Sequence, residues 1–408
     1  EWFNQQSPMV NGQPRHIGSG ESVPCSSFAE CQQAWGNATL WRQEISDGLA
    51  VLLAVCASTL QSGNQLFLDL VGSPGSLKST LCRGLLVSGH CVPVENMTKV
   101  ISGYKKPGDD NKDCSFIARS NGKTWVTCEF DTLGQSPQYR ELMGKVRRIF
   151  DGEMTATYGN SDEDRVYSAL RTPWIRASTP KMMDHDQSSM GDRFMRFILA
   201  DPTESDKRDI ARRALRSERE AIVETANCEA GSIVDPLTRK AQAMTGGYVD
   251  WLRANAEEKL SKLDVPEFAE DVCLDLAELS ADLRARPHNY RKNSDSEPHE
   301  CKELPTRLAR QNIRLASCLA VVLNKFTIDS DILRIVRKVA LDTASGHSLK
   351  VAQWLCSVNP HTGRLYQESG GLMGGTLETW TGMSRERLDA YLNFLRKIDV
   401  LELQHHKQ

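Results

Sequence analysis

The chain has 408 residues, enough for two or three domains that each bury a core. A hydrophobic fraction of 40% and a charged fraction of 25% are typical of a globular protein, and a formal net charge of −3 excludes a protein that coats nucleic acid through bulk positive charge. Any contact with nucleic acid is therefore expected from local basic patches, or from a ring that concentrates them. The apolar runs are too short for a membrane span, so no membrane partner is expected.

The cysteines indicate the cellular compartment of the protein, and the N-terminal residues indicate where its folded core begins. Twelve cysteines are scattered without a CxxC pair, which predicts reduced, buried thiols and an intracellular, cytoplasmic location. Cys25, Cys31 and His16 could contribute to a zinc site, but no second pair of ligands follows, so zinc is not expected. Residues 1–39 show little periodicity and predict an arm, or the remnant of a preceding domain, that wraps the core or a neighbour. Residues 40–60 predict a helix.

The next stretch joins a short apolar run to a glycine-containing loop. Residues 66–71 predict a buried strand, and the glycines of the loop allow backbone N–H groups to point at an anion. A helix starting near Lys78 would present its positive end there, Lys78 adds a point charge, and Ser79 is placed to ligate Mg²⁺. The candidate phosphate-binding residues are Gly72, Ser73, Pro74, Gly75, Ser76, Leu77, Lys78, Ser79 and Thr80. Leu77 departs from the G-x-x-x-x-G-K-[ST] pattern, and an ordinary strand-to-helix turn is the alternative.

Further along the chain, acids follow a second apolar run. Residues 92–122 predict an insertion with an exposed loop, and residues 124–130 predict a buried strand ending in Glu129 and Asp131. A strand beside the phosphate-loop strand can deliver a carboxylate that orients an attacking water, and Glu129 is the candidate for that role. A surface acid that ends a strand is the alternative.

Two more strands place polar residues at their ends. After a helix at 138–150 and a hairpin built from 154–158 and 165–170, residues 174–178 predict a strand that runs into Thr179, which could contact a γ-phosphate or the water. Arg193 stands before another apolar strand, 194–199. It could pair with an acid of its own chain or project onto the γ-phosphate of a neighbouring subunit.

The rest of the chain is predominantly helical. Helices are predicted from 207 to about 283, at 305–323 and at 329–343, with a polar loop at 286–303. Residues 349–355 and two helices within 376–400, followed by a short strand at 401–403, are the parts of a winged-helix module.

Taken in order, these stretches resemble the ATPase core of the MCM-like AAA+ helicases, including divergent relatives on phages and other mobile elements. GSPGSLKS at 72–79 is similar to the family loop G-D-P-G-x-x-K-S, which accounts for Leu77, and CEFD at 128–131 is similar to D-E-F-D. ASTP at 177–180 resembles the A-A-N-P sensor, and DRF at 192–194 resembles the S-R-F arginine-finger motif. LPTRLARQNIRLASCLA at 304–320 resembles the lid helix that supplies a second sensor arginine, here Arg307.

The resemblance implies an α/β fold with an AAA+ P-loop (ASCE) core, a helical lid and a C-terminal winged helix. The implied domains are an arm at 1–39, the ATPase core at 40–205, a lid region at 206–344 and a winged helix at 345–408. The implied function is that of a ring-forming, ATP-dependent DNA helicase or translocase in the DNA replication of a phage or mobile element. ATP and Mg²⁺ would be its cofactors, and its partners would be further copies in a hexamer, single-stranded or forked DNA, and replication proteins.

The resemblance also implies roles for individual residues. Lys78 would bind phosphate, Glu129 would orient water, and Thr179 would sense the γ-phosphate. Arg193 would reach the next subunit, and Arg307 would add a further charge. Ser79 would hold the metal, with Asp131 as a substitute for the family aspartate that Cys128 replaces.

Two departures from the family pattern leave alternatives open. Thr179 replaces an asparagine and has a shorter reach. The hairpin turn reads NSDED at 160–164 without the expected lysine, and an acidic tip would repel a phosphate backbone. The alternative is therefore an AAA+ loader or remodeller that acts on a protein partner, and a more distant one is a winged-helix regulator whose ATP site switches its assembly.

Overall fold

A computed structural model describes most of the chain, with gaps. It covers residues 9–10, 13–14, 21–95, 102, 113, 115–135, 139–156, 165–183, 193–225, 235–284, 304–344, 346–358, 362–366, 372 and 374–397. The turn of the predicted hairpin and the strand predicted at 401–403 lie outside these residues.

The strands of the described chain form one five-stranded sheet and two small pairs. They are β1 (Met9–Val10), β2 (Gln13–Pro14), β3 (Phe67–Val71), β4 (Cys91–Pro93), β5 (Thr124–Thr127), β6 (Met154–Ala156), β7 (Arg165–Tyr167), β8 (Trp174–Ser178) and β9 (Phe194–Ile198). β6 and β7 pair antiparallel, as the hairpin prediction requires.

Helices make up most of the remaining described chain. They are α1 (Phe28–Ala38), α2 (Gln43–Ala57), α3 (Lys78–Leu85), α4 (Phe116–Ser120), α5 (Phe130–Gly134), α6 (Tyr139–Phe150), α7 (Glu204–Thr225), α8 (Pro236–Ser261), α9 (Glu267–Arg284), α10 (Thr306–Val322), α11 (Ser330–Thr343), α12 (His347–Leu355), α13 (Gly374–Thr381) and α14 (Arg385–Lys397). Short 3-10 turns follow α2 at Ser58–Leu60 and β8 at Pro180–Met183.

The large sheet is parallel throughout, so the fold is α/β as predicted. Its strand order is β4-β5-β8-β3-β9, with β3 near the middle. The expectation that the acid-bearing strand lies beside the phosphate-loop strand is wrong, because β8 lies between β5 and β3. Since the carboxyl ends of parallel strands open onto the same edge, the segments that follow β3, β5 and β8 lie together there.

Helix α2 is a core helix. Every residue from Ile45 to Ala57 is buried, and a helix that is apolar on all sides is stable only when other elements surround it. Among the described residues, 43–60 are also long and apolar enough to cross a membrane, but 83% of that window is buried inside the protein. The expectation that no apolar run has this length is therefore wrong, and the burial accounts for the run as core.

Helix α1 differs from the predicted arm of little periodicity. It packs on α8, and the Trp35 indole Nε1 donates to the Thr245 hydroxyl at 3.0 Å. The chain before it crosses α8 so closely that a Cβ on Gly247 would lie 1.8 Å from the Val23 carbonyl oxygen. The N-terminal segment from residue 21 is thus part of the core packing.

The structure divides into two compact units. The first comprises Glu1–Pro266 and Arg314–Ile335, and the second comprises Glu267–Ile313 and Val336–Gln408, so the division falls within α10 and α11. In the second unit, α12, α13 and α14 share a small core; its buried residues are Val351, Leu377, Met383, Leu388 and Leu395. The predicted boundaries at residues 205 and 344 remain predictions.

Candidate functional site

The loop between β3 and α3 surrounds a buried ammonium group. Lys78, the first residue of α3, is 8% exposed, and its Nζ donates to the carbonyl oxygens of Gly72 at 2.7 Å and Ser73 at 2.8 Å and to the Ser76 hydroxyl at 3.2 Å. Burial lowers the pKa of Lys78, and the nearby Asp131 carboxylate opposes that shift. Within the described chain, the hydrogen-bond partners of this cation are neutral oxygens. An anion entering at the start of α3 would therefore meet both the charge of Lys78 and the positive end of the helix.

The loop needs small residues and left-handed backbone at specific points. Gly75 has φ +81° and Leu77 has φ +69°. A Cβ on Gly72 would lie 2.6 Å from the Ser76 hydroxyl oxygen, so the close approach of the loop to its own start excludes a side chain there. The loop is also tied to β8, because the Gly72 N–H donates to the Ser178 carbonyl oxygen at 3.2 Å.

Ser79 connects α3 to the end of β5. Its hydroxyl donates to the Cys128 carbonyl oxygen at 2.8 Å, one residue before Glu129. The strand predicted at 124–130 is wrong in its end point: β5 stops at Thr127, and Glu129 is the exposed N-cap residue of α5. The backbone leaves the sheet here because α5 begins at Phe130, directly after Glu129. Glu129 is thereby placed at the solvent side of the sheet edge.

Asp131 and Thr179 are brought together at the same edge. The Asp131 Oδ1 accepts a hydrogen bond from the Thr179 backbone N–H at 3.1 Å, which ties the start of α5 to the end of β8. The structure therefore gathers Lys78, Ser79, Glu129, Asp131 and Thr179 around the carboxyl ends of β3, β5 and β8.

The donor set fits a Mg²⁺ ion that is held mostly by substrate. Burial raises the pKa of the Cys128 thiol to about 12, so this side chain stays neutral and is a poor ligand for a hard cation. Among the residues that the structure describes, no group of three potential metal ligands is found. Mg²⁺ commonly takes one or two protein oxygens together with phosphates and waters, and the Ser79 hydroxyl and Asp131 can supply these.

Arg193 lies at the opposite edge of the sheet. It precedes β9, whose first residue Phe194 is in register with Phe67, the first residue of β3. At about 3.3 Å per residue, Arg193 is about 20 Å from the level of Gly72 along the strand direction. Its guanidinium pairs with Asp151 at 3.4 Å. It cannot reach the loop of its own chain.

Arg307 belongs to the second unit, near the start of α10, whereas the other candidate residues belong to the first unit. Its side chain is half-buried.

A cavity of about 600 Å³ opens beside Gly75, Ser76 and Leu77. Apolar residues form much of its wall: Leu40, Ile45, Ile210 and Leu237. Arg213 of α7 closes one side by donating to the Thr39 carbonyl oxygen at 2.8 Å. No pattern in the sequence indicates this cavity, because its wall comes from segments far apart in the chain.

A second feature not predicted is a charged pair inside the sheet. Arg176 is fully buried and donates to both carboxylate oxygens of Asp69, at 2.5 and 2.7 Å, and to the Tyr139 hydroxyl at 3.0 Å. The guanidinium also lies over the rings of Phe130 at 4.0 Å and Phe194 at 3.4 Å. The sequence does carry a sign of this pair, because a charged residue stands at the centre of each of the two strands, Asp69 in β3 and Arg176 in β8.

Comparison with known proteins adds no family to this description. No protein-family model matches the chain, and no curated protein matches its sequence significantly.

Proposed function

We propose that the chain is an AAA+ ATPase that assembles as a ring and moves along DNA during replication of a phage or mobile element. The observation that carries the ATPase is the buried Lys78 ammonium, held by loop oxygens at the start of a helix that follows a parallel strand. Phosphate oxygens would replace these neutral partners and form stronger, charge-assisted hydrogen bonds.

The order of strands supports the same class of ATPase. The strand that precedes Thr179 lies between the phosphate-loop strand and the strand that precedes Glu129. A γ-phosphate bound by Lys78 would then lie beside Thr179, next to a water held by Glu129.

The cavity beside the loop is suited to the base and ribose of the nucleotide. Its volume of about 600 Å³ is within the usual range for small-molecule sites, and its apolar wall suits a flat aromatic ring. Because Gly75, Ser76 and Leu77 form part of its lining, a nucleotide in the cavity would have its phosphates directed into the loop.

Mg²⁺, when bound, would neutralise charge on the phosphates. The residues of the chain would do the rest: Lys78 and the loop amides would bind and orient the triphosphate, and Glu129 would position the attacking water and accept its proton. Arg193 would act on the site of an adjoining copy, and Arg307 would contribute a further charge.

The test of the ATPase measures nucleotide binding and turnover separately, by calorimetry and by phosphate release. Lys78→Ala is expected to abolish both. Glu129→Gln is expected to retain binding and to lower turnover by about 10² to 10⁴-fold, since it removes only the base. Lys262→Ala, which removes an exposed lysine paired with Glu258, is the matched control and should change neither. Equal binding by Lys78→Ala and the unaltered chain would contradict the proposal.

The work substrate needs a separate experiment. The acidic sequence NSDED at 160–164 favours a loader or remodeller that acts on a protein partner. Unwinding of a forked DNA by the unaltered chain but not by Lys78→Ala supports the helicase. ATP turnover that a protein stimulates and DNA does not would support the remodeller instead.

A further inference from the structure

Helix α7 carries an exposed row of arginines, most of which lie outside the candidate nucleotide site. Arg208, Arg212, Arg216 and Arg219, called here the arginine stripe, are all exposed. At about 100° per residue, these four positions fall within an arc of about 80° on the helix and extend over about 16 Å of its length. The stripe is a local basic patch on a chain whose net charge is −3.

The stripe faces away from the cavity. Ile210, Arg213 and Ala214 line the cavity, and Arg213 donates to the Thr39 carbonyl oxygen. On the helix, the centre of these three positions is about 150° from the centre of the stripe. Of the four stripe residues, Arg216 at its border is the one that also lines the cavity.

The acids on α7 leave the stripe weakly compensated. Arg212 pairs with Asp209 at 3.4 Å, and both side chains are more than half exposed. A surface ion pair of this kind contributes little to stability, so a stronger anion can displace the carboxylate. Leu215, 71% exposed, lies just outside this arc, but a single exposed leucine is an ordinary surface feature and offers little area to a protein partner.

We propose that the arginine stripe binds the phosphate backbone of single-stranded nucleic acid. Guanidinium groups bind phosphate oxygens in a bidentate manner, and a row of like charges along one helix face complements a polyanion whose charges also repeat along a line. This inference rests on the proposed function in one respect: the proposed function identifies the bound strand as the DNA that is moved. The binding itself requires no nucleotide.

The test measures binding of a fluorescent oligothymidine by anisotropy, without ATP, across a series of salt concentrations. Each lost phosphate contact on a single strand reduces the slope of log affinity against log salt by about 0.7. The variant Arg208→Gln/Arg212→Gln/Arg219→Gln is therefore expected to lower the affinity and to reduce the slope by about 2. ATP turnover in the absence of DNA should stay unchanged.

Lys207 on the same helix provides the matched control. Like Arg212 it is exposed and pairs with an acid three residues earlier, Glu204 at 2.6 Å, but its position lies outside the stripe. Arg212→Gln should reduce the slope and Lys207→Gln should not, although each removes one positive charge from the same helix.

Three outcomes would overturn the proposal: an unchanged slope in the triple variant, equal effects of Arg212→Gln and Lys207→Gln, or no binding of the oligonucleotide by the unaltered chain. If the triple variant loses assembly while its DNA binding is retained, the stripe contacts another copy of the chain. A Lys78→Ala variant that fails to alter ATP binding while the stripe result stands would contradict the ATPase alone.

Discussion

Two residues of the loop at 72–77 adopt a left-handed backbone conformation, and one of them is a glycine whereas the other is a leucine. Gly75, at φ +81°, has no Cβ to clash with the following carbonyl oxygen, whereas Leu77, at φ +69°, tolerates the strain. Leu77 stands where the generic phosphate-loop pattern has glycine, which the positive φ explains. The loop retains its shape there because Lys78 is bonded to both Gly72 and Ser73.

Replacing Gly75 by alanine isolates the backbone strain. A Cβ at this position meets no atom within 4 Å, so Gly75→Ala introduces no clash, and its destabilisation should be about 1 to 2 kcal/mol from the positive φ alone. The midpoint of urea unfolding measures the effect. Gly89→Ala is the control, because a Cβ there also meets open space and its φ is not in the left-handed region. Equal midpoints for the two variants would contradict the argument.

At the scale of the elements, the central strands are joined by charge as well as by backbone hydrogen bonds. Asp69 of β3 is in register with Arg176 of β8 and with Arg196 of β9, and all three side chains are buried. The Arg176 guanidinium is held by Asp69 and packed between aromatic rings. The pair lies directly beneath the edge that carries the candidate site.

Removing one member of this pair should destabilise the fold more than replacing both members with apolar residues. Asp69→Asn leaves the buried Arg176 charge without its carboxylate and should destabilise the first unit by about 3 to 5 kcal/mol. The double variant Asp69→Leu/Arg176→Met removes both members of the pair and should recover much of that loss, since the Arg176 charge no longer has to be buried without its carboxylate. Chemical unfolding followed by tryptophan fluorescence measures both. A double variant less stable than Asp69→Asn would show that the pair stabilises the sheet beyond charge compensation.

The sequence predicts the existence of elements better than their arrangement. Apolar runs predicted β3, β8 and β9, and residue spacing predicted α2 and α6. Helix α1 is not among the predicted elements, although the sequence carries a start signal for it: the Ser27 hydroxyl accepts from the Glu30 N–H at 3.3 Å, and the Glu30 carboxylate accepts from the Ser26 N–H. Strand order and the cavity could not be predicted, because both depend on packing between distant segments.

At the scale of the whole molecule, the candidate catalytic residues of the first unit lie at opposite edges of one sheet. Lys78, Glu129 and Thr179 lie at the carboxyl edge, and Arg193 lies about 20 Å away at the amino edge. With this arrangement, a single copy of the chain cannot bring Arg193 to its own Lys78, Glu129 and Thr179. Contacts between the carboxyl edge of one copy and the amino edge of the next would be heterologous, and contacts of that kind form a ring when the rotation between successive copies closes.

Mixing two inactive variants tests this arrangement. Lys78→Ala lacks the proposed phosphate-binding lysine but retains Arg193, and Arg193→Ala has the reverse defect. Each variant alone should lose at least about 10³-fold in turnover, as expected for loss of an arginine finger or of phosphate binding. In an equimolar mixture, about a quarter of the interfaces would pair an intact loop with an intact arginine, so turnover should return to about a quarter of that of the unaltered chain. Steady-state phosphate release measures it, and the double variant Lys78→Ala/Arg193→Ala mixed with either single variant is the control. If the two single variants together remain as inactive as each alone, Arg193 does not act on a neighbouring copy.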